Sequence, residues 1–153
     1  MVKAKLITYR DFSDSWGFFT KIACKAIQIW TRSKYFHTEL YIQGVRITSD
    51  TRYGVIFKRT GIKWDYVKKY ADVKTIILSE DNAKKVLEFA KTQENKKYDW
   101  RGIWFSQFLP LNKQDKNKWF CNEIVGESLR RGNVKEITKK SNQYNPGSFQ
   151  KLF

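Results

Sequence analysis

Cysteine and histidine are scarce in this sequence, and their scarcity excludes two classes of small protein. The 153 residues contain two cysteines, Cys24 and Cys121, and a single histidine, His37. Two thiols so far apart do not make a disulfide scaffold, and neither lies in a Cys-x-x-Cys pair. One histidine is also too few for the usual Cys/His zinc site. We therefore expect neither a metal nor a cofactor.

Long apolar runs are missing as well. No stretch approaches the ~20 residues that cross a bilayer, and the first ten residues lack the apolar segment of a secretory signal. Hydrophobic residues nevertheless make up 41% of the chain, which excludes a disordered protein. The length fits one domain, residues 1–153. We expect a monomeric cytoplasmic protein of bacterial or bacteriophage origin.

Acidic residues are few, 15 against 30 basic ones, and the net charge of +15 favours an anionic partner. A cell wall, a membrane surface, an acidic substrate or a nucleic acid would each fit. Basic and aromatic residues also alternate at 30–35, 96–101 and 116–120. Such stretches can stack bases on a cationic surface, so a nucleic-acid-binding module remains an alternative.

Apolar patterning predicts an α+β domain with an antiparallel sheet. Strands are predicted at 3–9, 36–42, 45–48, 54–58 and 73–78. Gln43-Gly44 is typical of a two-residue hairpin turn, and Asn145-Pro146-Gly147 of another turn. Helical spacing predicts helices at 16–30, after Ser79, and at 121–131, where Gly132 would end the helix in a left-handed conformation. Residues 98–110 are predicted to be short-helical or irregular, and 112–118 to be a polar loop.

Cys121 lies where a helix is predicted to begin. The positive end of a helix dipole favours a thiolate, and the first backbone amides can hold an oxyanion. A small buried residue at a helix start would explain the position equally well. Cys24, inside the first predicted helix, is expected to be a structural thiol.

His37 supplies the base that a cysteine nucleophile needs. Alternation along a strand places Glu39 on the same face as His37. If Gln43-Gly44 is a two-residue turn, Asp50 faces His37 across the hairpin, whereas a turn one residue longer or shorter would place Ser49 there. All three polar side chains are candidates to orient the imidazole.

Four short motifs, in this order, resemble a known family. They are Phe36–Leu40, Ser49–Val55, Lys97–Ile103 and Trp119–Val125. The sequence resembles the circularly permuted papain-like amidases, the YiiX-like branch of the NlpC-type cysteine peptidases, which are related to lecithin retinol acyltransferase. In the unpermuted relatives the cysteine helix precedes the histidine strand, whereas here the order is reversed.

The resemblance implies a papain-like fold and a thiol hydrolase or acyltransferase that works through an acyl-enzyme. Cys121 would be the nucleophile, His37 the base and Glu39 the orienting group, with Asp50 or Ser49 as substitutes. Tyr98 is a possible oxyanion donor. The implied substrates are amide or ester bonds of cell-wall peptides or lipids. A papain-like domain that has lost activity and only binds is the remaining alternative.

Overall fold

A five-stranded antiparallel sheet organises the molecule. The structure, a computed structural model, describes residues 1–13, 17–99 and 117–153, without the side chain of Phe19. The strand order is β4-β3-β2-β1-β5. In chain order the strands are β1 Val2–Tyr9, β2 His37–Ile42, β3 Val45–Asp50, β4 Gly54–Arg59 and β5 Ala71–Leu78. The predicted α+β class is confirmed for the described residues.

Helices pack on both faces of this sheet. Their bounds are α1 Phe18–Trp30, α2 Trp64–Tyr70, α3 Glu80–Thr92, α4 Cys121–Arg131 and α5 Pro146–Leu152. A two-residue parallel ladder joins β6 Lys97–Tyr98 to β7 Lys118–Trp119. None of the described helices is long and apolar enough to cross a membrane. Sequence reasoning missed α2 and the β6–β7 pair.

Alternation along β1 divides the core in two. Ala4 and Leu6 are fully buried in the larger cluster, which the apolar faces of α3, α4 and α5 complete. Ile7 and Tyr9 point to the opposite face and pack with residues of α1 and α2. The second face carries the candidate site. Because both faces of the sheet are buried, the register of each strand is determined, and with it the set of side chains that share this face.

The β2–β3 hairpin turns as predicted. Gln43 and Gly44 both have positive φ, 48° and 80°, as a two-residue hairpin turn with the sheet's right-handed twist requires. Ile42 pairs with Val45, and Leu40 pairs with Ile47. The predicted register is therefore confirmed, and the alternative with a turn one residue longer or shorter is wrong.

The predicted helix end at Gly132 and the predicted turn at residues 145–147 differ from the structure. Gly132 has a φ of −79°, and the left-handed residue is its neighbour Asn133. A Cβ on Gly132 would lie 2.4 Å from the Val86 side chain, so lack of space rather than backbone conformation requires glycine. The predicted turn at Asn145-Pro146-Gly147 instead begins α5, because Asn145 accepts from the Ser148 amide at 2.9 Å and Pro146 is tolerated in the first turn.

Some predictions fall outside the described residues. They concern residues 14–16 at the expected helix start, residues 100–103 of the third motif, and the stretch 104–116 with Pro110 and most of the polar loop.

Candidate active site

His37 is the first residue of β2 and lies between a thiol and a carboxylate. Its side chain is 20% exposed. Nε2 is 3.3 Å from Glu39 Oε1 and 3.2 Å from the Thr48 hydroxyl. The Thr48 hydroxyl donates to the Thr38 carbonyl at 2.9 Å, so its oxygen is the acceptor toward Nε2–H. Cys121 acts on the imidazole electrostatically, and its Sγ lies 3.6 Å from Asn122 Oδ1.

Glu39 is held at both carboxylate oxygens. The Arg46 guanidinium donates to Oε1, and the Tyr9 hydroxyl donates to Oε2 at 3.4 Å. The Tyr9 ring also lies 5.8 Å from the imidazole, centroid to centroid. Since the Glu39 side chain is only 6% exposed, these contacts fix its position beside His37. Sequence reasoning found Glu39 but missed the three residues that surround the pair, Tyr9, Arg46 and Thr48.

Asp50 and Ser49 have other partners. Asp50 accepts from the Arg52 and Tyr53 amides at 2.9 and 2.7 Å, which closes the β3–β4 turn. The Ser49 hydroxyl donates to the Trp119 carbonyl at 2.8 Å. Among the described contacts, the carboxylate beside the imidazole thus belongs to Glu39, whereas the contacts of Asp50 and Ser49 are with other groups. The cross-strand contact of His37 is Thr48, its diagonal neighbour in the hairpin.

Charges within the site stabilise a protonated imidazole. Burial by itself lowers the pKa of His37, but the negative charge of Cys121, its hydrogen bond and then Glu39 outweigh burial and raise the pKa to about 10. Burial likewise raises the pKa of Glu39, and contacts with His37 and Arg46 reverse this and lower it to about 2. At neutral pH an imidazolium therefore lies between a carboxylate and the cysteine sulfur.

Cys121 is buried at the start of α4. Phe120 is the N-cap residue, and its carbonyl accepts from the amides of Glu123 and Ile124, both at 3.1 Å. The first amides of a helix have no carbonyl partner within the helix, so those of Cys121 and Asn122 are the ones available for a ligand. Glu123 is buried in the same turn.

Tyr98 lies beside the cysteine helix. It pairs with Trp119 across the β6–β7 ladder, two residues before Cys121. Burial raises the pKa of the Tyr98 phenol well above its ordinary value, and the charge of Cys121 raises it further. The phenol therefore keeps its proton and can donate a hydrogen bond in the site.

The second thiol of the chain is close to the first but is kept neutral. Burial, followed by the charge of Cys121, raises the pKa of Cys24 to about 12. At neutral pH Cys24 is therefore protonated and a poor nucleophile. This agrees with its expected structural role in α1.

A cavity of about 760 Å³ adjoins the site. His37, Glu39 and Tyr98 contribute to its wall. The rest of the wall is mostly apolar and comes largely from the inner side of α1, from β1, from α2 and from the segments just before β2 and α2; it includes Ile7, Ala23, Ala26, Ile27, Phe36, Ile62 and Val67. A cavity of this size can hold a small-molecule ligand.

No family model matches the sequence, and the search of curated proteins finds no match. The resemblance to the permuted papain-like amidases therefore rests on the four motifs alone. Within the described residues, no three or more His, Cys, Asp or Glu side chains are grouped so as to hold a metal ion.

The protonation of His37 can be measured directly, because it is the only histidine. We expect its ring resonances in an NMR titration to report a pKa near 10. Cys121→Ala should lower that pKa more than Glu39→Gln does, since the cysteine is the larger of the two raising influences. Cys24→Ala is the matched control and should leave it unchanged. An unchanged titration in Cys121→Ala would show that the two side chains do not form a pair.

Proposed function

We propose that this protein is a thiol hydrolase or acyltransferase that forms an acyl-enzyme on Cys121. The observation that carries the proposal is the single histidine placed between Cys121 and the buried Glu39, with its pKa raised to about 10. A nucleophile, a base and a group that orients the base are the minimal set for such catalysis. The resemblance to permuted papain-like amidases supports the same assignment.

The proposed reaction begins with attack of the Cys121 thiolate on a carbonyl carbon. A carbon–sulfur bond forms, and the carbonyl electrons move to oxygen. When the intermediate collapses, the carbon–nitrogen or carbon–oxygen bond breaks, and the His37 imidazolium donates its proton to the leaving amine or alkoxide. Neutral His37 then takes a proton from water or another acceptor, which attacks the thioester and releases Cys121 as thiolate. Glu39 keeps the imidazole oriented throughout.

The oxyanion of each intermediate requires donors that are already in place. The amides of Cys121 and Asn122, at the positive end of α4, are the candidates from the backbone. The protonated phenol of Tyr98 is the candidate from a side chain.

The cavity favours a lipid acyl group over a cell-wall peptide as the acyl part of the substrate. Its wall is mostly aliphatic and aromatic, which suits a hydrocarbon chain, whereas a peptide would need polar partners along its length. The wall carries the cations Arg46, Lys63 and His37 against the carboxylates of Glu39 and Asp50, and this excess of one positive charge suits an anionic head group. The net charge of +15 agrees with a substrate on an anionic surface.

Intact-protein mass spectrometry tests the proposal. The protein is incubated with p-nitrophenyl esters of two to twelve carbons and, separately, with peptidoglycan stem peptides. We expect an acyl adduct on Cys121, faster release of nitrophenol with longer chains, and the same adduct in Cys24→Ser. Cys121→Ser should form no thioester. An adduct confined to Cys24, or neither adduct nor product from either substrate class, would contradict the proposal.

The cytoplasmic location predicted from the sequence stays a prediction, which fractionation of cells that express the full chain would check.

A further inference from the structure

Helix α1 exposes apolar side chains on the side that faces away from the sheet. Phe18 is 72% exposed, Ile29 69%, and Ile22 and Trp30 50% each. Cys24 and Ile27, on the opposite side, pack against the second core cluster. The helix is thus apolar on both sides, although only one of them is covered by the sheet. We call Phe18, Ile22 and Ile29 the outer face of α1; Trp30 lies at the end of the helix, turned about 80° or more from them.

The outer face is a strip that one exposed lysine, Lys25, interrupts between Ile22 and Ile29. At 100° per residue, Phe18, Ile22 and Ile29 fall within about 40° of one another on the helix surface. Of the eight large apolar side chains that are exposed among the described residues, four belong to this one helix. Clustered exposure of this kind marks an interaction surface, whereas scattered exposed apolar residues carry no such meaning.

Charge on the same helix indicates the kind of partner. Lys21 and Lys25 lie within α1, and Arg32 and Lys34 follow it directly. The sequence from residue 17 to residue 38 contains no acidic residue. A second copy of the chain would bring the same cations against these, which is unfavourable. A nucleic acid would be attracted by the cations but offers no apolar phase for isoleucine and phenylalanine.

We propose that the outer face of α1 docks the protein on an anionic lipid surface. The helix lies in the plane of the interface, and Phe18, Ile22 and Ile29 enter the boundary between head groups and acyl chains. Lys21 and Lys25 extend to the anionic head groups, and Trp30 occupies the interface at the end of the helix. The inner side of the same helix lines the cavity beside His37, so docking places the reactive site next to the lipid.

This inference goes beyond the proposed function, because docking requires no chemistry at Cys121. Its test is therefore made in the Cys121→Ser background, by co-flotation with vesicles of phosphatidylcholine alone or with one-third phosphatidylglycerol. We expect binding to the anionic vesicles that weakens as salt is raised. Ile22→Ser combined with Ile29→Ser should lower the bound fraction at limiting lipid by about tenfold or more.

Matched controls distinguish binding through the outer face from nonspecific binding through other parts of the surface. Ile77 on β5 is 50% exposed, as is Ile22, so Ile77→Ser removes an equally exposed isoleucine elsewhere and should leave binding unchanged. Lys25→Glu should weaken binding more than Lys135→Glu, which changes an exposed lysine far along the chain from α1. Circular dichroism of each variant checks that the fold is retained.

Three outcomes would overturn the inference. One is equal binding of the Ile22/Ile29 double variant and Ile77→Ser. Another is no binding to anionic vesicles by the folded parent protein. The third is a dimer in lipid-free analytical ultracentrifugation that the α1 substitutions dissociate, because the outer face would then be an interface between copies. Failure of esterase activity with intact vesicle binding would overturn only the proposed function.

Discussion

Replacement of His37 by alanine is expected to slow alkylation of Cys121 by iodoacetamide about tenfold at pH 7, in a Cys24→Ser background. The imidazolium stabilises the thiolate, and an ordinary thiol is only a few per cent thiolate at this pH. Because a stabilised thiolate is intrinsically less nucleophilic, the effect is smaller than the change in thiolate population. The rate of acyl transfer should fall further, by about 1,000-fold, since the leaving group also loses its proton donor.

The pH dependence of the alkylation rate distinguishes an influence of the His37 charge on Cys121 from a structural change caused by the substitution. The parent should react faster than His37→Ala at neutral pH, and the two rates should converge above pH 10, because His37 then loses its positive charge. Asp50→Asn is a suitable control, because Asp50 bonds the β3–β4 turn rather than the imidazole. If Cys121 reacts at the same rate with and without His37, the catalytic assignment fails.

The second large effect concerns stability. Gly54→Ala is expected to lower the free energy of unfolding by about 3 kcal/mol or more, which corresponds to a fall in Tm of about 10 °C for a chain of this size. Gly54 has a φ of 71°, and an added Cβ would lie 2.1 Å from the Lys96 carbonyl oxygen. That carbonyl accepts from the Val55 amide at 2.8 Å, so neither strand can move without loss of a hydrogen bond.

Gly44→Ala is the matched control that measures the cost of the left-handed backbone conformation alone. Gly44 has a similar φ, 80°, but the nearest atom to an added Cβ is 3.9 Å away, on Arg59. Only the left-handed conformation is then penalised, and we expect a loss of about 1 kcal/mol. Urea unfolding of the two variants measures both values. Equal losses would mean that the close approach of Lys96 to Gly54 has no energetic consequence.

The sequence predicted the parts of the site that depend on local rules. Strand alternation alone brings Glu39 to the side of His37 that it occupies. The Gln43-Gly44 turn determines the register of the hairpin, because two positive φ values in succession favour a two-residue loop. The position of Cys121 at a helix start followed from the apolar spacing after it.

The parts that were missed depend on contacts between distant segments. Tyr9 reaches Glu39 because β1 pairs with β2, and a sequence does not reveal which strands are neighbours. Ser49 was considered for its position in the hairpin, yet its hydroxyl bonds the Trp119 carbonyl 70 residues later. The register of the hairpin places Arg46 on the face of Glu39, so its side chain can reach the carboxylate.

The distance along the chain between His37 and Cys121 has a consequence for synthesis. His37, Glu39 and the sheet that holds them come early, and Cys121 follows His37 by 84 residues. At the usual speed of a ribosome, 5–20 residues per second, the thiol is made roughly 4 to 17 s after the imidazole. A nascent chain that stops before α4 therefore carries His37 and Glu39 without Cys121. Translation thus completes all five strands of the sheet before it makes Cys121 and the two helices α4 and α5.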